Sequence, residues 1–288
     1  MRLFFISTKH LENKLWFRDE EDFKVGMNKV ALVSSQLGIL VIAFTLMSNH
    51  VHFLIACQTR EEAELFILNY KNQYSRHVQH KYGIYELLRR NEVDIQEIEN
   101  ANEAVERVIA YIHMNCVAAN ICSHPTQYPW GTGNCFFTEI KPQGILMENI
   151  SKWRQSKILH SRLDVPGTCV LAEAGYILPE SYVDIKGVEK LFGTPKRYNY
   201  FLISSSKAKK KLSADDAALP SFKDQVVIAA ISDLANTLFQ KPNIKQLTYE
   251  EQTELLKQLR YRFSSNIEQL SRTTGLPYAD VAKMLDSM

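Results

Sequence analysis

Little in this sequence points to the cell exterior or to a membrane. Its five cysteines, Cys57, Cys116, Cys122, Cys135 and Cys169, are scattered. None belongs to a C-x-x-C pair, which argues against a zinc ribbon or a disulfide scaffold and suits a reducing cytoplasm. There is no run of about 18 apolar residues, so no membrane-spanning helix is expected. The opening Met1-Arg2-Leu3-Phe4-Phe5-Ile6 is soon followed by Lys9, His10 and Glu12, which does not read as a secretory leader. A strong charge of either sign is also missing: 34 Lys and Arg stand against 32 Asp and Glu, a net +2. The totals neither require nor exclude a nucleic-acid partner, and local charge has to decide.

What the chain has is material for a core. Of its 288 residues, 45% are apolar and 23% charged, which suits a soluble, well-cored protein of two domains, or one with a long appendage. Leu3 to Thr8 reads as a strand. Asp19-Glu20-Glu21-Asp22 opens a helix whose face carries Phe23, Met27, Val30, Val33 and Leu37, and Gly38 stops it. Leu40 to Thr45 is a second strand, and Met47-Ser48-Asn49 reads as the turn into a third. A helix from Thr59 to about Tyr82 carries Leu65, Phe66, Leu68, Tyr70 and Tyr74. Its other face holds Lys71, Arg76, His77, His80 and Lys81, either a solvated surface or a phosphate-contacting one. Gly83 to Arg90 reads as a strand ending in the basic pair Arg89 and Arg90, and Asn102 to about Val117 as a helix. Strands joined by a tight turn and covered by helices on one side predict an α+β fold with an antiparallel sheet.

The rest divides into a turn-rich close to about residue 137, a stretch over 138–220 that is hard to read, and a helical tail over 221–288. The middle stretch holds the basic cluster Lys207, Lys209, Lys210 and Lys211, either a solvated linker or a nucleic-acid contact. In the tail, Phe222–Phe239 and Tyr249–Phe263 read as helices. Ser264 to Leu285 then resembles a helix-turn-helix, with Leu270, Leu276, Val281 and Leu285 as its core and Gly275 in the turn. Its surface residues Arg272, Tyr278 and Lys283 are candidates for DNA contact, although any helical hairpin could give this pattern.

The chemistry concentrates at His50-Val51-His52. Side chains alternate along a strand, so both imidazoles point the same way while Val51 points into the core. Two imidazoles one pleat apart can share a metal ion, although such a pair also arises by chance at strand edges. Downstream, Tyr111 and Asn115 lie four residues apart on one helix face. Set against the histidine face, Asn115 could supply a third, oxygen ligand, with Tyr111 beside the metal. Such a mixed N/O site accepts Mg or Mn, although imidazole alone favours later metals.

Three segments in this order carry a family resemblance: Met47-Ser48-Asn49-His50-Val51-His52-Phe53-Leu54, Tyr111-Ile112-His113-Met114-Asn115-Cys116-Val117, and Tyr128-Pro129-Trp130. Together they resemble the IS200-like single-tyrosine transposases, and within them the REP-associated tyrosine transposases. These are HUH (His-hydrophobic-His) nickases of single-stranded DNA. The resemblance covers roughly residues 1–137. It implies a ferredoxin-like α+β domain with an antiparallel sheet. It makes His50, His52 and Asn115 ligands of a divalent metal, Mg or Mn, and Tyr111 the nucleophile that forms a 5′-phosphotyrosine bond. It implies a DNA partner, single-stranded or with hairpin ends, and leaves open a homodimer in which Tyr111 serves its own subunit or the other. This sequence departs from the family at Cys116, where the motif usually has proline, and in the acidic stretch from Asn91 to Asn102. A DNA-binding regulator that keeps the fold without the chemistry is the alternative function. A metal hydrolase with Tyr111 as a bystander is a third.

Overall fold

The computed structural model describes residues 1–9, 11, 14–85, 88, 91–119, 121–138, 143–205, 222–263 and 265–286. Its first part runs β1 (Arg2–Thr8), α1 (Glu20–Leu37), β2 (Leu40–Met47), β3 (His50–Cys57), α2 (Arg60–Tyr82), β4 (Val93–Ile98), α3 (Asn102–His113) and the single turn α4 (Asn115–Ala118). The sheet order is β2-β3-β1-β4, with antiparallel neighbours throughout. This is the ferredoxin-like βαββαβ arrangement, followed by one further helix. No described helix is long and apolar enough to cross a membrane.

Strand alternation sets the layers. On β3, Phe53 packs its ring against Phe66 and Tyr70 of α2, at 5.3 and 5.2 Å between centroids. His52 faces the opposite way, toward Tyr111 of α3. Helices α1 and α2 therefore cover one face, and α3 lies on the other, over β2 and β3. Local signals fix α1 at both ends. The Asp19 side chain accepts from the Asp22 backbone N–H at 3.0 Å, a cap worth about 1 kcal/mol, and Gly38 closes the helix at φ +63°.

The outer edge of β2 is covered by the chain itself. Leu46 N donates to Trp130 O at 2.8 Å, Thr132 N to Phe44 O at 3.0 Å and Asp184 N to Val41 O at 3.0 Å. Between them, a Cβ on Gly131 would stand 2.6 Å from Phe44 O, so only glycine lets the backbones approach this closely. An edge satisfied in this way offers no free ladder to another strand.

Three expectations are corrected here. The fourth strand of the sheet is β4, Val93–Ile98, and not the described part of Gly83–Arg90. The described residues there, Gly83, Ile84, Tyr85 and Leu88, carry no strand, and β4 falls in the acidic stretch that follows. On α2, Leu65 and Leu68 point outward while His77 is buried. His77 bonds Asp22 at 2.8 Å, and Asp22 also accepts from Lys81 and Tyr82, so a polar network joins α1 to α2. The helix from Asn102 does not reach Val117; it breaks at Met114.

The middle stretch forms a layer built on α1 and α3. It contains the two-stranded pair β5 (Ile145–Leu146) and β6 (Val170–Leu171), with α5 (Lys152–Leu159), α6 (Ile185–Phe192) and α7 (Pro195–Ser204). From α1, the buried Lys29 amine donates to Leu159 O at 2.7 Å and His160 O at 3.0 Å. Burial, and next the positive charge of Arg76, push that amine down to about 8. Helix α7 is pinned to α3 by the Arg197–Glu106 pair, bidentate at 2.5 and 2.7 Å. The tail forms α8 (Asp224–Phe239), α9 (Tyr249–Phe263), α10 (Ile267–Thr274) and α11 (Tyr278–Asp286). These close around a core of their own that includes Val227, Leu255, Leu259, Leu270 and Val281.

Candidate active site

The histidines stand at the end of a clamped hairpin. Ser48 and Asn49 form the turn between β2 and β3. Ser48 O accepts from Trp16 N at 2.8 Å and Phe17 N at 3.1 Å, and Asn49 O accepts from Leu11 N at 3.0 Å. Thr8 Oγ1 accepts from Val51 N at 3.0 Å. His50 and His52 are buried, at 5% and 3% exposure, and their rings meet nearly at right angles with centroids 4.8 Å apart. His50 Nδ1 lies 2.8 Å from Asn49 Oδ1. A carboxamide oxygen only accepts, so Nδ1 carries the proton and the lone pair sits on Nε2. That tautomer is the one a metal-binding imidazole uses, held by an outer oxygen.

Tyr111 is brought to this pair from α3. Its ring lies 5.8 Å from His52, at 82°. Phe5 of β1 completes the group, stacked on His52 at 5.8 Å and edge-on to Tyr111 at 5.8 Å. Tyr111 is half-buried, and burial raises its phenol above the ordinary tyrosine value.

Asn115 is buried at the break of the tyrosine helix. Its Nδ2 donates to Tyr111 O at 2.8 Å and to Ile112 O at 3.2 Å, while Thr45 Oγ1 donates to Ile112 O at 3.1 Å. Thr45 lies opposite His52 in the sheet register. The amide nitrogen thus caps the end of α3, and Oδ1 is the atom of this side chain with ligand character. His113, between Tyr111 and Asn115 in sequence, faces elsewhere. It bonds Thr132 Oγ1 at 2.8 Å and the Tyr198 hydroxyl at 2.7 Å, and burial pushes it down to about 3.

The donor chemistry fits a divalent ion. Two imidazoles, one with its tautomer fixed, and one amide oxygen leave positions for water or substrate oxygens. Among the described residues, no group of three or more His, Cys, Asp and Glu could hold a metal.

The expected DNA-contacting residues fall into three kinds. Lys71 is half-buried and donates to Asn91 O at 2.6 Å, and Arg272 pairs with Asp224 at 2.8 and 3.0 Å, so both are engaged within the fold. Arg76, Tyr278 and Lys283 are exposed. Arg89, Arg90, Lys207, Lys209, Lys210 and Lys211 lie outside the described residues. Sequence reasoning missed Asn49 as the orienting group, although it sits inside the quoted motif. It also missed Phe5, which reaches the site only through strand pairing, and a cleft of about 470 Å³ beside Tyr111, walled by β1, β4, α3 and α7.

Residues 12–115 match the model of the family described as "Transposase IS200 like". The match takes in both histidines and Tyr111 and ends on Asn115. Over this stretch, about a third of the chain, the sequence is similar to the IS200-like transposases. No curated protein matches the chain. Among solved structures, one titled "Structure of the REP associates tyrosine transposase bound to a REP hairpin" is similar at 14% identity and a TM-score of 0.37, over 46% of this chain and 78% of that one.

Proposed function

We propose that this chain is a transposase that cuts and rejoins single-stranded DNA through Tyr111, with a divalent ion, Mg or Mn, held by His50, His52 and Asn115. The observation that carries the reading is the approach of the Tyr111 ring to His52, 5.8 Å between centroids within one chain. That approach favours a tyrosine serving its own subunit. The phenol is protonated at neutral pH and burial raises it further, so its proton must leave as the bond forms. Tyr111 Oη attacks phosphorus, the 3′-oxygen leaves and takes up a proton, and the 5′-phosphate stays on the tyrosine. The freed 3′-hydroxyl, or that of a new end, reverses the step. A bound divalent ion would supply charge neutralisation at the phosphate oxygens. Asn49 holds the His50 tautomer, and Asn115 ties the end of the tyrosine helix.

The test is a denaturing gel of protein with labelled single-stranded oligonucleotides from the DNA flanking its gene, with and without Mg or Mn. Wild type should give a metal-dependent, protein-linked label that is absent from Tyr111→Phe. Metal-dependent cleavage without an adduct would support a hydrolase instead. Binding without cleavage on every flank would support the regulator, the reading to which the exposed Tyr278 and Lys283 of the tail also lend themselves.

A further inference from the structure

The tyrosine helix leaves part of its sheet face uncovered. It lies mainly over β2 and β3, and among the described residues the β1–β4 half of that face is bordered by α3 on one side and α7 on the other. The result is the cleft of about 470 Å³ beside Tyr111. Its floor is Phe5 and Ile98, its polar groups include Gln96 and Arg107, and Phe201 of α7 closes it. A volume in the range of about 300–1,000 Å³ is typical of a site for one small ligand, and this lining is mixed, with Phe5, Ile98 and Val108 set among Gln96, Arg107 and two serines. Phe201 lies beyond the stretch that matches the family, so this wall is supplied by the chain's own additional layer.

We propose that this cleft receives one unpaired nucleobase of the strand that Tyr111 cuts. The inference rests on the reading above and deepens it, because it assigns what lies next to the scissile phosphate. Unpaired bases bind by stacking on aromatic rings, with cations on the adjoining backbone. Both parts are present. Phe5, half-buried, is the ring, Phe201 is a buried back wall at 5% exposure, and the Arg107 guanidinium lies 6.0 Å from the Phe201 ring centre. Arg107 is otherwise held by an exposed pair with Glu103 one helical turn away. Exposed pairs of this kind are weak, so the guanidinium can turn to a phosphate or a base edge at small cost. Gln96, exposed on β4 and with its amide nitrogen donating to Asp94, keeps an acceptor oxygen and a second N–H for the edge of the base. A paired base in a duplex could not enter, because its edge and both faces are already engaged.

The test uses the full chain in chelator, where no cleavage competes. Single-stranded oligonucleotides from the gene flanks, carrying 5-iododeoxyuridine at successive positions, are crosslinked by light and the adducts mapped by mass spectrometry. Adducts on the peptides holding Phe5, Tyr111 or Phe201 are expected. Arg107→Ala and Ile98→Trp, which fills the floor, should each weaken binding of the same oligonucleotides by about tenfold with an unchanged circular dichroism spectrum. Binding with adducts only elsewhere, or wild-type affinity in Arg107→Ala, would overturn the pocket and leave the nicking reading standing. Failure of the wild type to bind any single strand would overturn both. Should Ile98→Trp misfold, the exposed Arg107 still decides.

Discussion

Two asparagines carry opposite duties at the site. Asn49 orients, accepting from His50 Nδ1 at 2.8 Å through a side chain that sits in a turn. Asn49→Ala should keep the fold and lower affinity for Mn by about tenfold, the usual cost of losing an outer-shell oxygen, as read by calorimetric titration. Equal affinity would mean that the tautomer is fixed by something else. Asn115 both ties the helix end and offers an oxygen. Asn115→Ala removes the donor to Tyr111 O and Ile112 O, so urea denaturation should register a loss of about 1–3 kcal/mol. Asn115→Asp loses the same donor but brings a charged oxygen. It should recover metal affinity without recovering stability, and recovery of both or neither would remove one of the two duties.

Between elements, the α1–α2 contact depends on Asp22. Burial alone would raise its carboxyl. Hydrogen bonds from His77, the Arg18 backbone N–H, Lys81 and Tyr82 outweigh that and hold it at about 2, against an ordinary 3.8. The folded value lies below the unfolded one, so the unfolded chain binds the proton first. The stabilisation is complete above pH 3.8 and is lost as the pH falls through about 2. Asp22→Asn should therefore flatten the dependence of stability on pH across this window, by about 2 kcal/mol, while lowering stability at pH 7. An unchanged acid slope in urea titrations would contradict it. The same scale explains what was legible in the sequence. The β2–β3 hairpin could be read because its apolar runs are long and its turn is short, and the histidine pair because strand period dictates one face. Strand β4 was hidden because only Ile95 of its six residues is buried; an edge strand with one core residue has almost no apolar alternation. Met114 gave no sign of a helix break because neither glycine nor proline makes it. The Asn115 side chain does, by taking up two carbonyls. Phe5, Phe201 and Asn49 meet the histidines and tyrosine through pairing and layering, which no local pattern records.

At the scale of the whole molecule, the helical tail stands beside the part that carries the histidine pair and Tyr111. Helices α8 to α11 bury their apolar residues among themselves, and a contact such as Gln225 Nε2 to Phe17 O at 3.2 Å links them to the first part. The short turn at Gly275, with φ +76°, sets α10 and α11 as a helical pair whose second member exposes Tyr278 and Lys283. A unit with its own core and an exposed helix is suited to holding duplex DNA while the strand is cut elsewhere. The basic residues of this pair do not share that task. Arg272 is 16% exposed and doubly bonded to a buried Asp224, so Arg272→Ala strands a carboxylate and should lower thermal stability by an amount equivalent to about 3 kcal/mol. Lys283 has no such duty. The double change Tyr278→Ala with Lys283→Ala should leave stability and the nicking of short single strands unchanged. It should also weaken binding to hairpin DNA from the gene flanks and reduce the salt dependence of that binding by about one ion. If hairpin affinity and its salt slope stay at wild type, α11 does not touch DNA, and the tail is a structural or protein-binding appendage. If nicking of short strands falls as well, the tail acts on the site itself, and the division between a cutting part and a holding part is wrong.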